Sequence, residues 1–309
     1  MKKIMRILLA IMVVCFTTMI VSLTVSILKR TVVGSSQNPN LPHVVVLDLN
    51  GVIYTSNTFI KNIEAIGENK MSKAVVIRIN SPGGVVGPSQ EIYESIKSLD
   101  QKIPVIISMG SLAASGGYYA ALGGRKIFAN PGTLTASIGV IMEFINTERL
   151  LDWAKVERYA IKSGRLKDIG NPSRKMLPEE KLFLQSLLDD VHVQFRKEVQ
   201  NRRHLTDAEL NEIADGRIMT GAQAKKAKLV DALGGYQEAV KEAKALSGLN
   251  EQAPVIIKAP SKGLIKDLLL GDSDEEESRF DRLFNALFNL SDYISGSAHS
   301  RILYLSAQF

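Results

Sequence analysis

Residues 104–123 read PVIISMGSLAASGGYYAALG, an apolar, β-branched run that passes without a break into very small side chains. The first part has the length and composition of a buried strand. The second part, Ser115–Leu122, reads as a short helix that starts at a serine. Strand, tight small-residue turn and helix in that order form half of a βαβ unit, so the reading of the fold starts here.

Working outward, the same alternation repeats. HVVVLDL from His43 and AVVIRI from Ala74 are short apolar runs, hence buried strands. A helical stretch lies near Phe59–Ile66. Pro88–Leu99 places Ile92, Ile96 and Leu99 on one helical face. KIFA from Lys126 and the IGVIMEF run from Ile138 read as two more strands. Strands alternating with helices predict an α/β fold with a mainly parallel sheet. The second half is more helical. Pro178 opens a long amphipathic helix to about His204, with Glu179 and Glu180 suited to its dipole. Thr206 with Glu209 fits a capping box, and shorter helices to Leu246 are broken at Gly216 and Gly234–Gly235. APVIIKA from Ala253 is a late strand.

The ends differ from this middle. From Ile7 to Leu28 no residue is charged, a length that suits one membrane-spanning helix. The segment lacks an A-x-A-like cleavage site, which favours an uncleaved anchor. Lys2, Lys3 and Arg6 outweigh Lys29 and Arg30, which keeps the N-terminus in the cytoplasm and exports the rest. The expected division is a stub and anchor over 1–30, a turn-rich linker over 31–42, a catalytic domain over 43–259 and a tail over 260–309. The tail holds the acidic run Asp272–Glu277, and then Phe280, Leu283, Phe284, Leu287 and Phe288 on one helical face.

Composition narrows the function. The 309 residues carry a net charge of +6, but five of the 38 basic residues flank the apolar segment and the remainder nearly balances 32 acidic ones. A nucleic-acid partner is therefore not expected. The single cysteine, Cys15, excludes an intramolecular disulfide. No HExxH or similar cluster is present, so neither a metal nor a cofactor is expected.

Two glycine-bearing segments follow strands. Ser81–Pro82–Gly83–Gly84 ends the second strand, where ligands of open α/β sheets bind, and by itself reads as a turn. Ser115 begins a helix, where unpaired N–H groups and the dipole favour developing negative charge. With the Gly116 N–H and a second one from Gly84, Ser115 makes a nucleophile beside an oxyanion hole. The residues alone leave close helix packing as the other reading, and the G-x-S-x-G pattern is absent. None of the four histidines, His43, His192, His204 and His299, lies in a small-residue turn, so a histidine base is not indicated.

Taken together, SMGSLAASGGYYAA, INSPGGVV, LTASIGVI and IKSGRLKDIGNPSR resemble the signal peptide peptidase SppA family, the S49 serine peptidases, in their short single-repeat form. The resemblance covers the anchor and roughly 44–246. It implies a crotonase-like fold shared in outline with Clp protease. It also implies a Ser–Lys dyad, with Ser115 as nucleophile, Lys167 as general base, Ser137 orienting the lysine, and Gly84 and Gly116 as the oxyanion hole. A lysine acts as a base only when neutral, and its free pKa is about 10.4. Lys167 should therefore sit in a dry pocket without a paired carboxylate; Lys162 is its nearest competitor. The family further implies endopeptidase action on remnant signal peptides at the bacterial cytoplasmic membrane. It implies an octamer-like homo-oligomeric ring in which one subunit's lysine can complete another's site. A peptidase specific for one membrane protein, another crotonase-fold enzyme acting on acyl-CoA, and a silent peptide-binding scaffold are the competing readings.

Overall fold

The computed structural model describes residues 39–258 and the backbone of 303–305. The expected membrane segment, the acidic run, the apolar stripe after Phe280 and His299 lie outside the described residues. The chain divides into Met1–Leu41 and Pro42–Phe309, and the fold below belongs to the second unit. Among the described residues no helix is long and apolar enough to cross a membrane.

In chain order the elements are β1 (His43–Asn50), α1 (Asn57–Glu68), β2 (Ser72–Ser81), β3 (Gly83–Val85), α2 (Val86–Asp100), β4 (Val105–Ala114) and α3 (Gly116–Ala121). Then come β5 (Lys126–Ala129), β6 (Leu134–Ala136), α4 (Glu148–Trp153), α5 (Pro178–Arg203), α6 (Asp207–Ile213) and β7 (Ile218–Thr220). Last are α7 (Gly221–Lys226), β8 (Ala232–Leu233), α8 (Tyr236–Leu246), β9 (Val255–Lys258) and β10 (Leu303–Leu305). An eight-stranded sheet runs β7-β6-β4-β2-β1-β9, with β5 and β8 branching from β4. All of its pairings are parallel except β6 with β7.

Both faces of the sheet are covered, which is why its strands read as unbroken apolar runs. Val45, Leu47, Ile77, Ile79, Ile107 and Met109 face one cluster, which also holds residues of α1, α2, α3 and α5. Val44, Val46, Val76 and Ile106 alternate to the other face and pack with Ala239 and Ala243 of α8. Burying each such Val, Leu or Ile is worth about 1.5–3 kcal/mol.

Two strand expectations need correction. IGVIMEF is not a strand; the pairing strand is the preceding Leu134–Ala136. Ala136 and Ser137 both take positive φ, 66° and 53°, which ends the extended run just before the apolar residues. Gly83–Gly84 are not a turn but part of β3, whose antiparallel partner is β10.

Candidate active site

Ser115 stands between the end of β4 and the start of α3, with φ 54° and ψ −120°. A non-glycine residue there is strained, by an order of 1–3 kcal/mol. The G-x-S-x-G pattern is missing, yet the geometry is that of a nucleophile elbow: strand, strained serine, helix. The Ser115 Oγ is fully buried and has no hydrogen-bond partner among the described residues. Such a hydroxyl normally finds a partner in a folded protein, so its isolation needs a reason.

The elbow is held from several sides. The Ser115 N–H donates to the Ala136 carbonyl at 2.8 Å. The Thr135 hydroxyl donates to the Ala113 carbonyl at 2.7 Å. Below it, the Tyr118 hydroxyl donates to the Leu229 carbonyl at 2.9 Å. The Tyr119 ring lies 5.2 Å from that of Tyr93 and 5.0 Å from that of Phe195, which ties α3 to α2 and α5. The first pair is edge-on and the second tilted; favourably oriented aromatic pairs add about 0.5–1.5 kcal/mol beyond area burial.

Gly116 is the first helical residue of α3, so its N–H has no intrahelical acceptor. Gly84 lies in the middle of β3. Its neighbours turn inward: the Ile53 N–H donates to Gly83, and the Val85 N–H donates to Ile53. The Gly84 N–H and carbonyl therefore face the opposite edge. On that edge lies β10, antiparallel, with Tyr304 opposite Gly84. A Cβ on Gly84 would sit 2.1 Å from the Ile53 carbonyl oxygen, so no other residue fits without moving the strand. Gly84→Ala keeps the backbone N–H but forces β3 away from Ile53, so the peptide-cleavage rate should fall at least about tenfold if β3 borders the reacting serine. Initial rates on a labelled peptide check it; a rate within tenfold of wild type would remove Gly84 from the site.

Ser137 follows Ala136, the residue paired with Ala114 at the end of β4. Its N–H donates to the Arg217 carbonyl at 2.9 Å. The His192 ring donates from Nε2 to the Ile138 carbonyl at 3.1 Å, the tautomer following from the acceptor. An open cavity of about 560 Å³ adjoins Ser137, walled by Val140, Ile141, Leu188, His192 and Asp215. His43 is buried at the start of β1, and His204 ends α5 in a left-handed conformation. No described histidine serves Ser115.

Lys167 lies on an irregular, largely exposed segment between α4 and α5 and is itself exposed. The expectation of a dry pocket is thus not met within one copy, because the segment around Lys167 is open to solvent. Among the described residues no carboxylate pairs with Lys167. The neighbouring Asp168 turns to Lys162 and Arg174 instead. The competitor Lys162 is occupied by that carboxylate and by the Arg165 carbonyl. Hydrogen bonds from Arg174 first and Lys162 second hold the Asp168 carboxyl down at about 2. Among the described residues no group of acidic, cysteine and histidine side chains could hold a metal ion.

A buried serine on a strained elbow over a parallel sheet, followed by the free N–H of a helix start, has the local geometry of a serine hydrolase. Comparison with known proteins narrows the class. The family model described as Peptidase family S49 matches residues 97–250, and that of Clp protease matches 44–135. A Synechocystis protein described as a candidate protease is 44% identical over 221 residues, covering 71% of this chain and 79% of the relative. A candidate signal peptide peptidase SppA of Enterococcus faecium is 34% identical over 242 residues, covering 73% and 70%. The chloroplastic serine protease SPPA of Arabidopsis thaliana is 33% identical over 225 residues, covering 72% of this chain and 33% of its own length. The chain belongs to peptidase family S49, with a Clp-protease-like α/β fold, and is a serine peptidase.

Proposed function

We propose that this chain is a membrane-anchored endopeptidase in which Ser115 attacks the peptide carbonyl, Lys167 takes its proton, Ser137 orients the lysine, and Gly84 and Gly116 bind the oxyanion. The substrates are extended apolar peptides, signal peptides left in the membrane first among them. The observation that carries this reading is the Ser115 Oγ, buried and unpartnered on a strained elbow. It lies in the chain next to Gly116, while the outer edge of β3 already accepts an antiparallel strand at Gly84. A substrate added there would make main-chain hydrogen bonds to β3 and present alternate side chains to the surface.

Lys167 completes the dyad from a second copy. Two facts support this. Its amine is exposed and free of described polar partners, whereas Ser115 is wholly buried. In the chain before it, Ile145, Trp153, Tyr159 and Ile161 are 69, 79, 85 and 96% exposed. So many large apolar side chains on one run suit burial against another copy in an oligomeric ring. Placement beside the partner's buried elbow would also supply the desolvation a lysine base requires.

Residues 43–259 form the peptidase domain in this reading. The apolar segment Ile7–Leu28 anchors it with the catalytic part on the exported face of the cytoplasmic membrane. No cofactor takes part. A chain ended at residue 300 frees the β3 edge, so its KM for a labelled signal peptide should fall severalfold with kcat unchanged; an unchanged KM would show that peptides bind elsewhere. Cleavage of that peptide by the full chain, lost in Ser115→Ala and Lys167→Ala, tests the function itself. Binding without cleavage by the wild-type chain would favour a peptide-binding scaffold.

A further inference from the structure

The segment that bears Lys167 is tied down by Arg165 on Glu179, by Thr147 on the Pro172 carbonyl and, at the residue next to Lys167, by one arginine. From Ala154 to Leu177 the chain forms no helix or strand. Its local backbone bonds are a few turns, such as Lys167 N–H to Gly164 O at 3.2 Å and Asn171 N–H to Asp168 O at 3.1 Å. Such turns do not define where an exposed side chain points. Arg165, two residues before Lys167, pairs with Glu179, and Arg174 holds the residue directly after Lys167. The Arg174 Nε donates to the Asp168 carboxylate at 3.1 Å and one Nη to the Asp168 carbonyl at 3.2 Å. The same guanidinium forks onto Glu180, with one bond of 2.8 Å to Oε2 and a second to Oε1. It also reaches the Lys175 carbonyl at 3.0 Å.

Glu180 is the fixed end of this link. It is 1% exposed, lies in the first turn of α5, and accepts the Leu177 N–H at 2.8 Å. The guanidinium thus joins a buried carboxylate on a 26-residue helix to both the carboxylate and the carbonyl of the residue after Lys167. Only arginine has the planar fork that serves both carboxylates and a carbonyl together. Lys162 closes the arrangement from the other side of Asp168.

We infer that Arg174, seated on Glu180, is a positioning residue for the general base: it sets the turn of residues 167–168 and so the direction in which Lys167 leaves its own subunit. The inference rests on the assignment of Lys167 above. A displacement of about 1 Å in a catalytic group can lower the rate roughly 10²-fold, and a lysine presented to another copy has no local contact to correct it. Both carboxyls stay ionised down to about 2, Asp168 as given above and Glu180 because Arg174 first and the Leu177 N–H second stabilise its charge. Their folded-state values are lowered, so the stability they lend is present above the usual carboxylate range and is lost only as pH falls toward 2. The link is therefore intact throughout the range in which a lysine base titrates.

The test is steady-state cleavage of a labelled signal peptide by Arg174→Ala, Arg174→Lys, Glu180→Gln, Lys167→Ala and the Arg174→Ala/Lys167→Ala double variant, with melting temperature followed in each. The inference expects kcat to fall about 10²-fold in Arg174→Ala, with KM within about twofold. Arg174→Lys should recover part of the loss, and Glu180→Gln should reproduce it. In the Lys167→Ala background, Arg174→Ala should lower kcat no further, because it acts through a base already gone. If Arg174→Ala is too unstable to assay, Arg174→Lys and Glu180→Gln decide by the same KM-against-kcat split. A wild-type kcat in all Arg174 and Glu180 variants, or a further loss in the double variant, overturns the inference. Full activity in Lys167→Ala overturns the base assignment itself and is read separately.

Discussion

Ser115→Ala will abolish peptide cleavage and leave the fold intact. Removing the nucleophile of a serine hydrolase typically lowers kcat by on the order of 10⁶. What remains is the weak effect of the oxyanion donors and of binding. The fold should not suffer, for a reason particular to this serine. Its Oγ is buried and bonded to nothing described, so truncation sacrifices no hydrogen bond and relieves an unsatisfied polar group. The backbone strain at φ 54° is unchanged, since alanine has the same Cβ. The melting temperature should be equal to or above that of wild type. A thermal melt beside a rate measurement separates this outcome from trivial unfolding. Cleavage at the wild-type rate would remove Ser115 from the mechanism.

Lys167→Ala should also lose most of the activity, though less than Ser115→Ala, if Lys167 is the base proposed above. Positioned bases contribute roughly 10²–10⁴ in rate. Lys167 is exposed and free of described partners, so its loss should leave the stability of a single copy almost untouched. The stronger form of the prediction uses two dead variants. Co-expressed Ser115→Ala and Lys167→Ala chains should regain activity, because in mixed assemblies an intact Ser115 meets an intact Lys167 from its neighbour. If serine and lysine of one chain act together, the mixture stays inactive. Diluting the wild-type protein to separate copies should likewise abolish cleavage while the circular dichroism of the domain persists.

Much of the sheet was legible from sequence because it is buried on both faces. β1, β2 and β4 announce themselves as β-branched runs for that reason. The capping box at Thr206 and Glu209 was equally plain, since its chemistry is local. The failures occur where distant parts of the chain decide the conformation. β3 reads as a glycine turn because its partners, Ile53 and residues 303–305, lie far away in sequence. The run from Ile138 reads as a strand because apolar side chains continue past the true strand end. That end is set by left-handed Ala136 and Ser137, and neither is the glycine or asparagine that usually marks such a position.

The site shows the same division. Ser115 was visible as a serine opening a helix among small residues, but its elbow was not, because Ala113 stands where the first glycine of the usual flanking pair would be, with only Gly117 in place. Lys167 could not be found by chemistry at all. An exposed lysine in an irregular segment has no local signal, and only the resemblance of IKSGRLKDIGNPSR to the family pointed to it. The signal that could have drawn attention to this segment is the charge pattern around it. Lys162, Asp168, Arg174 and Glu180 alternate in sign at six-residue spacing and join into one connected set.

The most direct measurement is to treat the wild-type protein and Lys167→Ala with a fluorophosphonate probe and map the adduct by peptide mass spectrometry. The account predicts one modified residue, Ser115, in the wild type, and labelling slowed at least about 10²-fold without the lysine. An adduct on any other residue, or labelling of Ser115 at full speed in Lys167→Ala, would contradict it.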